Sequence, residues 1–241
     1  DVVLKVEGLS IGDKIKDISF EVRQGEVLGF SGLVGAGRTE VMRAIFGADA
    51  MTSGKIYYLG EELHLKEPRD AVRKGIGYLA ENRKSQGLLV NQSIKVNTTL
   101  TALGKVTNHG FIRRKYENQQ VESLLQKIST RYGTLGDEVN SLSGGNQQKI
   151  SFAKWIWADC KCIIFDEPTR GVDVGAKVEI YDIINRLAEQ GTAVIIVSSE
   201  MTEIIGTCDR AIIMSQGRIT GDLKKEELTE DTIIKYAVKG D

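Results

Sequence analysis

Hydrophobic and polar positions alternate at the start of the chain. The stretches "VVLKVEGLS" (2–10) and "DISFEVRQGE" (17–26) show the every-second-residue pattern of strands with one buried face, and predict the edge of an antiparallel sheet. The pattern then changes. "EVLGFSG" (26–32) is a short apolar run ending in glycine, as a fully buried strand does before a turn. A helix is expected from about Gly37, with Met42, Ile45 and Phe46 on one face and Gly47 at its end. "GKIYYLGEEL" (54–63) reads as strand and turn. Residues 88–140 are more polar and mostly helical in period, with Val121, Leu124, Leu125 and Ile128 forming a stripe.

Strand and helix alternate again further on. A helix is expected at about 146–158, a buried strand at "CIIFDE" (162–167), and a helix at 176–190. The apolar face of the last is Ala176, Ile180, Ile183, Ile184 and Leu187. A strand "AVIIVSS" (193–199) and a hairpin at Gln216-Gly217 follow. This alternation predicts an α/β domain with a mostly parallel sheet covered on both faces. The expected organisation is a core at about 1–87 and 146–241, with a helical subdomain inserted at about 88–145.

Composition narrows the classes. The 241 residues are 41% hydrophobic and 27% charged, which is ordinary globular usage. Lys+Arg 32 against Asp+Glu 33 leaves a formal net charge of -1, so no global basic field draws in nucleic acid or anionic lipid. Cys160, Cys162 and Cys208 lack the companions of a zinc site or disulfide framework and read as buried thiols. No apolar run is long enough to span a bilayer. The chain begins at Asp1 rather than Met, as expected of a piece of a longer protein.

Candidate chemistry begins at "GLVGAGRTE" (32–40). Gly32, Leu33, Val34, Gly35, Ala36, Gly37, Arg38, Thr39 and Glu40 fit a phosphate-binding loop at every fixed position except its lysine, which is replaced by Arg38. Glycines let backbone N–H groups curl around phosphate oxygens, the helix start adds partial positive charge, and the Thr39 hydroxyl suits Mg²⁺. Arg38 keeps the charge on a longer, planar head that cannot occupy the lysine's slot. Glu40 favours the helix start but brings negative charge near a triphosphate. In "CIIFDE", Asp166 and Glu167 stand at the end of a buried strand, where carboxylates can hold a metal and polarise water. The alternative is a pair of acids capping a strand. In "LSGGNQQK" (142–149), Ser143, Gly144, Gly145 and Asn146 open a helix; they suit an anion or a plain N-cap.

Together, "GLVGAGRTE", "AENRKSQGLL", "LSGGNQQK" and "DEPTRGVDVGAK" resemble the nucleotide-binding domain of ABC transporters, in order over nearly the whole chain. More narrowly they resemble the C-terminal ATPase half of ribose/galactose-type monosaccharide importers, in which two such domains lie in tandem. The resemblance implies a P-loop NTPase core with an antiparallel edge subdomain, and ATP and Mg²⁺ as cofactors. It implies Thr39 and Asp166 at the metal and Glu167 as general base. It also implies that Ser143, Gly144, Gly145 and Asn146 close over a nucleotide held by a partner ATPase half, with Asp173 facing that partner. Further implied partners are membrane permease subunits and, through them, a periplasmic or extracellular sugar-binding protein. The implied location is the cytoplasmic face of the membrane, with no nucleic-acid partner. "ENRKSQGLL" (81–89) lies where the family meets its permease, and Arg83 and Lys84 could pair with acids there or form a solvated loop.

The chain departs from that family's intact site at several positions. Arg38 replaces the lysine, Glu81 the Q-loop glutamine and Ser199 the switch histidine; residues 7–19 carry no aromatic side chain to stack on adenine. Base stacking is worth about 1–3 kcal/mol in nucleic-acid complexes, and serine has no proton-responsive charge. The expectation is a chain that binds ATP, donates its signature and hydrolyses weakly or not at all. A competent ATPase and a scaffold that binds no nucleotide are the alternatives.

Overall fold

A computed structural model describes residues 1–239. The chain opens with β1 (Val2–Ile11), β2 (Ile15–Arg23), β3 (Val27–Gly32) and α1 (Arg38–Ile45). Next come β4 (Ser53–Tyr58), β5 (Glu61–Glu62), α2 (Pro68–Lys74) and β6 (Ile76–Leu79). The middle holds α3 (Ile94–Thr99), β7 (Thr107–Asn108), β8 (Phe111–Ile112), α4 (Arg114–Lys127) and α5 (Gly144–Trp157). The remainder is β9 (Cys162–Asp166), α6 (Val174–Glu189), β10 (Ala193–Val197), α7 (Met201–Thr207), β11 (Arg210–Ser215), β12 (Arg218–Lys224) and α8 (Glu230–Ala237). Two compact units emerge: 1–78, 161–167 and 184–241 form the first; 79–160 and 168–183 form the second.

The first unit carries the sheets. One is antiparallel, in the order β2-β1-β4-β5. The other runs β12-β11-β3-β10-β9-β6, with β11, β3, β10 and β9 parallel and β12 antiparallel at the edge. The fold is α/β, as the alternation predicts. Every residue of β9 and β10 is buried, which is why these strands read as continuous apolar runs rather than alternating ones. The hairpin at Gln216-Gly217 joins β11 to β12, with both residues in the left-handed region. α2 is an element that periodicity does not reveal, because Ala71 is its only buried residue. It is written in end signals instead: reciprocal capping between Glu67 and Asp70, Pro68 in the first turn and a left-handed Gly75 at the end.

Residues 88–145 fall wholly in the second unit, together with 79–87, 146–160 and 168–183. Val121, Leu125 and Ile128 of the predicted stripe are buried and Leu124 is half-buried. Buried Asn97 on α3 closes the preceding loop with both ends of its amide: Nδ2 donates to the Leu89 carbonyl (2.9 Å) and Oδ1 accepts from the Leu89 N–H (2.8 Å). Phe152, Trp155 and Trp157 of α5 are core. Among them lies a cation: Lys154 Nζ donates to the Gly87 carbonyl (2.6 Å) and sits over the Trp155 ring (4.7 Å to its centroid). Burial pulls its ammonium down to about 8.

That shift fixes a pH dependence. Between about 8 and the ordinary 10.5 the unfolded chain binds more protons at Lys154 than the folded chain does. Stability from this group therefore rises with pH across that window and is flat below it. Urea unfolding of wild type and Lys154→Met from pH 7 to 10.5 should show wild type gaining on the variant only above about pH 8.

Candidate nucleotide site and signature cleft

The parallel register brings three strand ends level. Val197 of β10 pairs with Phe30 of β3 on one side and with Asp166 of β9 on the other. Two further main-chain bonds carry the alignment past the sheet: Ser198 N–H to the Phe30 carbonyl (3.1 Å) and Glu167 N–H to the Val197 carbonyl (2.8 Å). The loop 32–37, the carboxylates of Asp166 and Glu167, and Ser199 thus leave the sheet side by side. Open α/β sheets bind ligands at this carboxyl edge.

The loop has little freedom. Gly32 has φ +151°, and a Cβ there would run into the Met214 carbonyl oxygen. At Gly37, φ is +98° and a Cβ would strike the Ile15 side chain. The loop is also tied from outside, since the Gly217 N–H donates to the Ala36 carbonyl (3.0 Å) and the Lys16 N–H to the Gly217 carbonyl (2.9 Å). Leu33 and Val34 at its crest are exposed. Gly37 caps α1 with no side-chain bond, so the helix presents bare N–H groups and its positive end to this edge.

Arg38 does not extend along the loop. Its side chain is buried, and Nη1 donates to the Ser198 carbonyl at 2.5 Å. Burial lowers its pKa; Glu167, Asp166 and Glu40 oppose that by favouring the charged form. The guanidinium is therefore a strut between α1 and the end of β10, beside two carboxylates. Glu40, half-buried in the first helical turn, adds a third.

Asp166 is completely buried and shared. Oδ1 accepts from the Thr39 hydroxyl (3.2 Å) and Oδ2 from the Tyr78 hydroxyl (2.9 Å). Burial raises the Asp166 pKa, and the two hydroxyls pull it back. Tyr78 is pushed up by burial first and by the Asp166 charge second. Thr39 and Asp166 thus form an all-oxygen pair, the donor type Mg²⁺ takes when phosphates and water complete its octahedron. Glu167 is half-buried at φ +50°, and its Oε2 accepts from the exposed Ser199 hydroxyl at 3.1 Å. Burial raises the Glu167 pKa most; the Ser199 bond and Arg38 act against it. Neither histidine takes part: His64 and His109 are both exposed, the latter in the turn between β7 and β8.

The second unit holds a separate cleft of about 240 Å³. Ser143, Gly145, Asn146 and Asp173 line it, with Arg131 and Lys149 beside them. Ser143 caps α5, and its oxygen accepts from the Asn146 N–H (3.4 Å) and Nδ2 (3.0 Å). Both bonds enter the oxygen, so the hydroxyl proton is left to donate elsewhere. Asn146 Oδ1 is itself held by the Arg131 N–H (2.9 Å). Asp173 Oδ1 accepts from the Ala176 N–H (3.0 Å) at the start of α6. Lys149 is held by the Ser129 carbonyl (2.7 Å) and by Glu179 (2.5 Å), which also lines the cleft. Glu81, exposed, pairs with Arg170.

The ABC transporter family matches residues 15–170. The chain belongs to this family. It is 47% identical over 238 residues to a putative ribose/galactose/methyl galactoside import ATP-binding protein of Rhizobium meliloti (strain 1021), covering 99% of this chain and 48% of that protein. It is 46% identical over 240 residues to a ribose import ATP-binding protein of Caldanaerobacter subterraneus subsp. tengcongensis, again covering 99% and 48%. The chain thus spans about half the length of the curated relatives it matches. Among solved structures it resembles a nucleotide-free ATP-binding cassette from an ABC transporter (TM-score 0.81, 19% identity, 100% of both chains). It also resembles a dimeric cassette in a post-hydrolysis state bound to ADP and Pi (TM-score 0.80, 19% identity, 92% of this chain and 98% of that one). These likenesses establish the P-loop NTPase core.

Within this ABC fold, the structure gathers Thr39, Asp166, Glu167 and Ser199 with the loop, and gathers Asp173 with the signature. Three participants escape sequence reasoning. Tyr78 lies in β6, a strand buried throughout; a tyrosine in such a strand needs a partner for its hydroxyl, and that was the available signal. Arg131 and Lys149 offered none beyond their proximity to "LSGG". Arg83, read as a possible partner for permease acids, instead turns inward: its Nη1 donates to the Arg170 carbonyl at 3.1 Å, leaving Lys84 as the exposed cation of the pair.

Tyr78→Phe would remove one of two hydroxyls from a buried carboxylate while leaving the ring's volume. Hydrogen bonds to charged groups contribute about 1.5–3 kcal/mol. Urea denaturation of the variant should show a stability loss in that range with an unchanged m-value.

Proposed function

We propose that this chain is one ATP-binding half of a carbohydrate importer. It holds Mg-ATP on residues 32–39 and presents Ser143, Gly144, Gly145 and Asn146 to a nucleotide held by a second ATPase half. Its own hydrolysis is weak or absent. Thr39 and Asp166 would hold Mg²⁺, which when bound neutralises phosphate charge. The Ser143 hydroxyl, freed by the two bonds from Asn146, would donate to a terminal phosphate oxygen of the partner's nucleotide, and Asp173 would face the partner beside it. Membrane permease subunits would carry the sugar after delivery by a periplasmic or extracellular binding protein. The chain would sit against them at the cytoplasmic face; no helix among its described residues is long and apolar enough to cross a membrane. The names of the relatives support the importer and its sugar class.

The observation that carries the asymmetric reading is Arg38. Its cation is committed to the Ser198 carbonyl, in a position from which the family's lysine would reach phosphate. Ser199, on the next residue, has no charge with which to answer a phosphate. In the signature cleft, by contrast, the Ser143 oxygen only accepts bonds from Asn146, which leaves its hydroxyl proton to donate. A competent ATPase is the second reading, favoured by the Ser199–Glu167 bond, which holds a general-base candidate in place.

The test is calorimetric titration of the chain with Mg-ATP beside Arg38→Lys, with turnover followed in both. Micromolar binding with negligible turnover in wild type is the expected outcome. Turnover at rates typical of ABC importers, abolished by Glu167→Gln, would establish the competent ATPase. Absence of binding in both proteins would leave a scaffold.

A further inference from the structure

Arg83 begins a single helical turn, Arg83–Gly87, on which the Asn82 side chain caps the Ser85 N–H (3.3 Å). Its guanidinium reaches two other segments. Nη1 donates to the Arg170 carbonyl at 3.1 Å, in the loop before α6. Nη2 lies 3.0 Å from where a Cβ on Gly144 would stand, so the fork rests against the first residue of the signature helix. Nη1 is also 3.9 Å from the equivalent position on Gly171. The head thus occupies space that glycines at 144 and 171 leave open. Its Nε is buried with no hydrogen-bond partner among the described residues. Burial lowers its pKa. Keeping a cation half-buried carries a cost, which the bond to the Arg170 carbonyl offsets in part.

The same turn is fastened at its other end. Gly87 gives its carbonyl to Lys154, on the body of the signature helix (2.6 Å). Glu81, just before the turn, pairs with the Arg170 side chain. Arg170 is therefore held at its side chain by Glu81 and at its carbonyl by Arg83. Segment 81–87 is linked to the loop 170–171 and to α5 at two levels, and Arg83 is the one residue among these that touches both.

We propose that Arg83 is a positioning residue that fixes Gly144 and the loop 170–173 relative to each other, so that Ser143 and Asp173 are presented to a partner nucleotide as one surface. This rests on the donated-signature reading above. A planar fork suits the role, because it can bond a carbonyl along one edge while its other nitrogen packs on a glycine. A lysine head can satisfy only the first.

The test uses the full-length transporter with both ATPase halves, reconstituted with its permease. Arg83→Met is expected to lower kcat for ATP hydrolysis about tenfold, equivalent to about 1.4 kcal/mol of transition-state stabilisation, while KM and Mg-ATP affinity at residues 32–39 stay as in wild type. Arg83→Lys should fall between the two. Hydrogen exchange at the amides of 144–147 and 171–173 should quicken together in Arg83→Met, with 32–39 unchanged. Unchanged kcat, a loss confined to KM, or faster exchange in only one of the two segments would overturn the proposal. Should Arg83→Met fail to fold, Arg83→Lys decides alone, and wild-type kcat in it overturns the proposal. Ser143→Ala in the same protein separates the two ideas. If it leaves hydrolysis intact, the donated signature is wrong and the role of Arg83 falls with it. If it abolishes hydrolysis while Arg83→Met does not lower it, only the Arg83 inference fails.

Discussion

The register of three parallel strands is the constraint on which the nucleotide site depends. Val197 lies between Phe30 and Asp166, and the next main-chain bonds run from Ser198 and Glu167 across the same seam. A slip of one residue in β10 would reverse which side chains of that strand face which side of the sheet. It would also part Ser199 from Glu167 and the Ser198 carbonyl from Arg38. The apolar strands that look bland in the sequence thus align Asp166, Glu167, Ser198 and Ser199 with the end of β3.

Electrostatics accounts for the unusual loop. A buried guanidinium beside two carboxylates is tolerable because each charge offsets the desolvation of the others. Arg38 gains a backbone acceptor, and Asp166 gains two hydroxyl donors from opposite sides. The site is therefore largely satisfied within the chain. A lysine, with a compact and strongly hydrated head, would not bridge to Ser198 in the same way. The substitution reads as a local rearrangement with its own partners rather than a simple loss of function at one position.

Much of this was legible from residues alone. Short apolar runs gave β3, β9 and β10 nearly to the residue, and the stripe Ala176, Ile180, Ile183, Ile184 and Leu187 is buried as its spacing requires. The phosphate loop, the carboxylates and the signature stand where their motifs put them along the chain. What stayed hidden was direction. Nothing in the letters says that Arg38 turns to Ser198, that Tyr78 reaches Asp166 across 88 positions, or that Arg83 points inward while Lys84 points out. Those outcomes depend on which neighbour offers an acceptor after folding. Short helices such as α2 and α7, with one or two buried residues each, are likewise invisible to periodicity.

The tie between Gly217, Ala36 and Lys16 bears on protein engineering. The exposed turn at 12–14 looks like an ordinary permissive tip for an inserted tag or reporter, and the 216–217 turn looks like one by sequence, although Gly217 is buried. Gly217 is joined by main-chain bonds to Ala36 of the phosphate loop and to Lys16 just after the 12–14 turn, so a graft at 216–217 would bear directly on that loop. The turn at His109-Gly110, exposed and remote in sequence from any group described at either site, is the better attachment point.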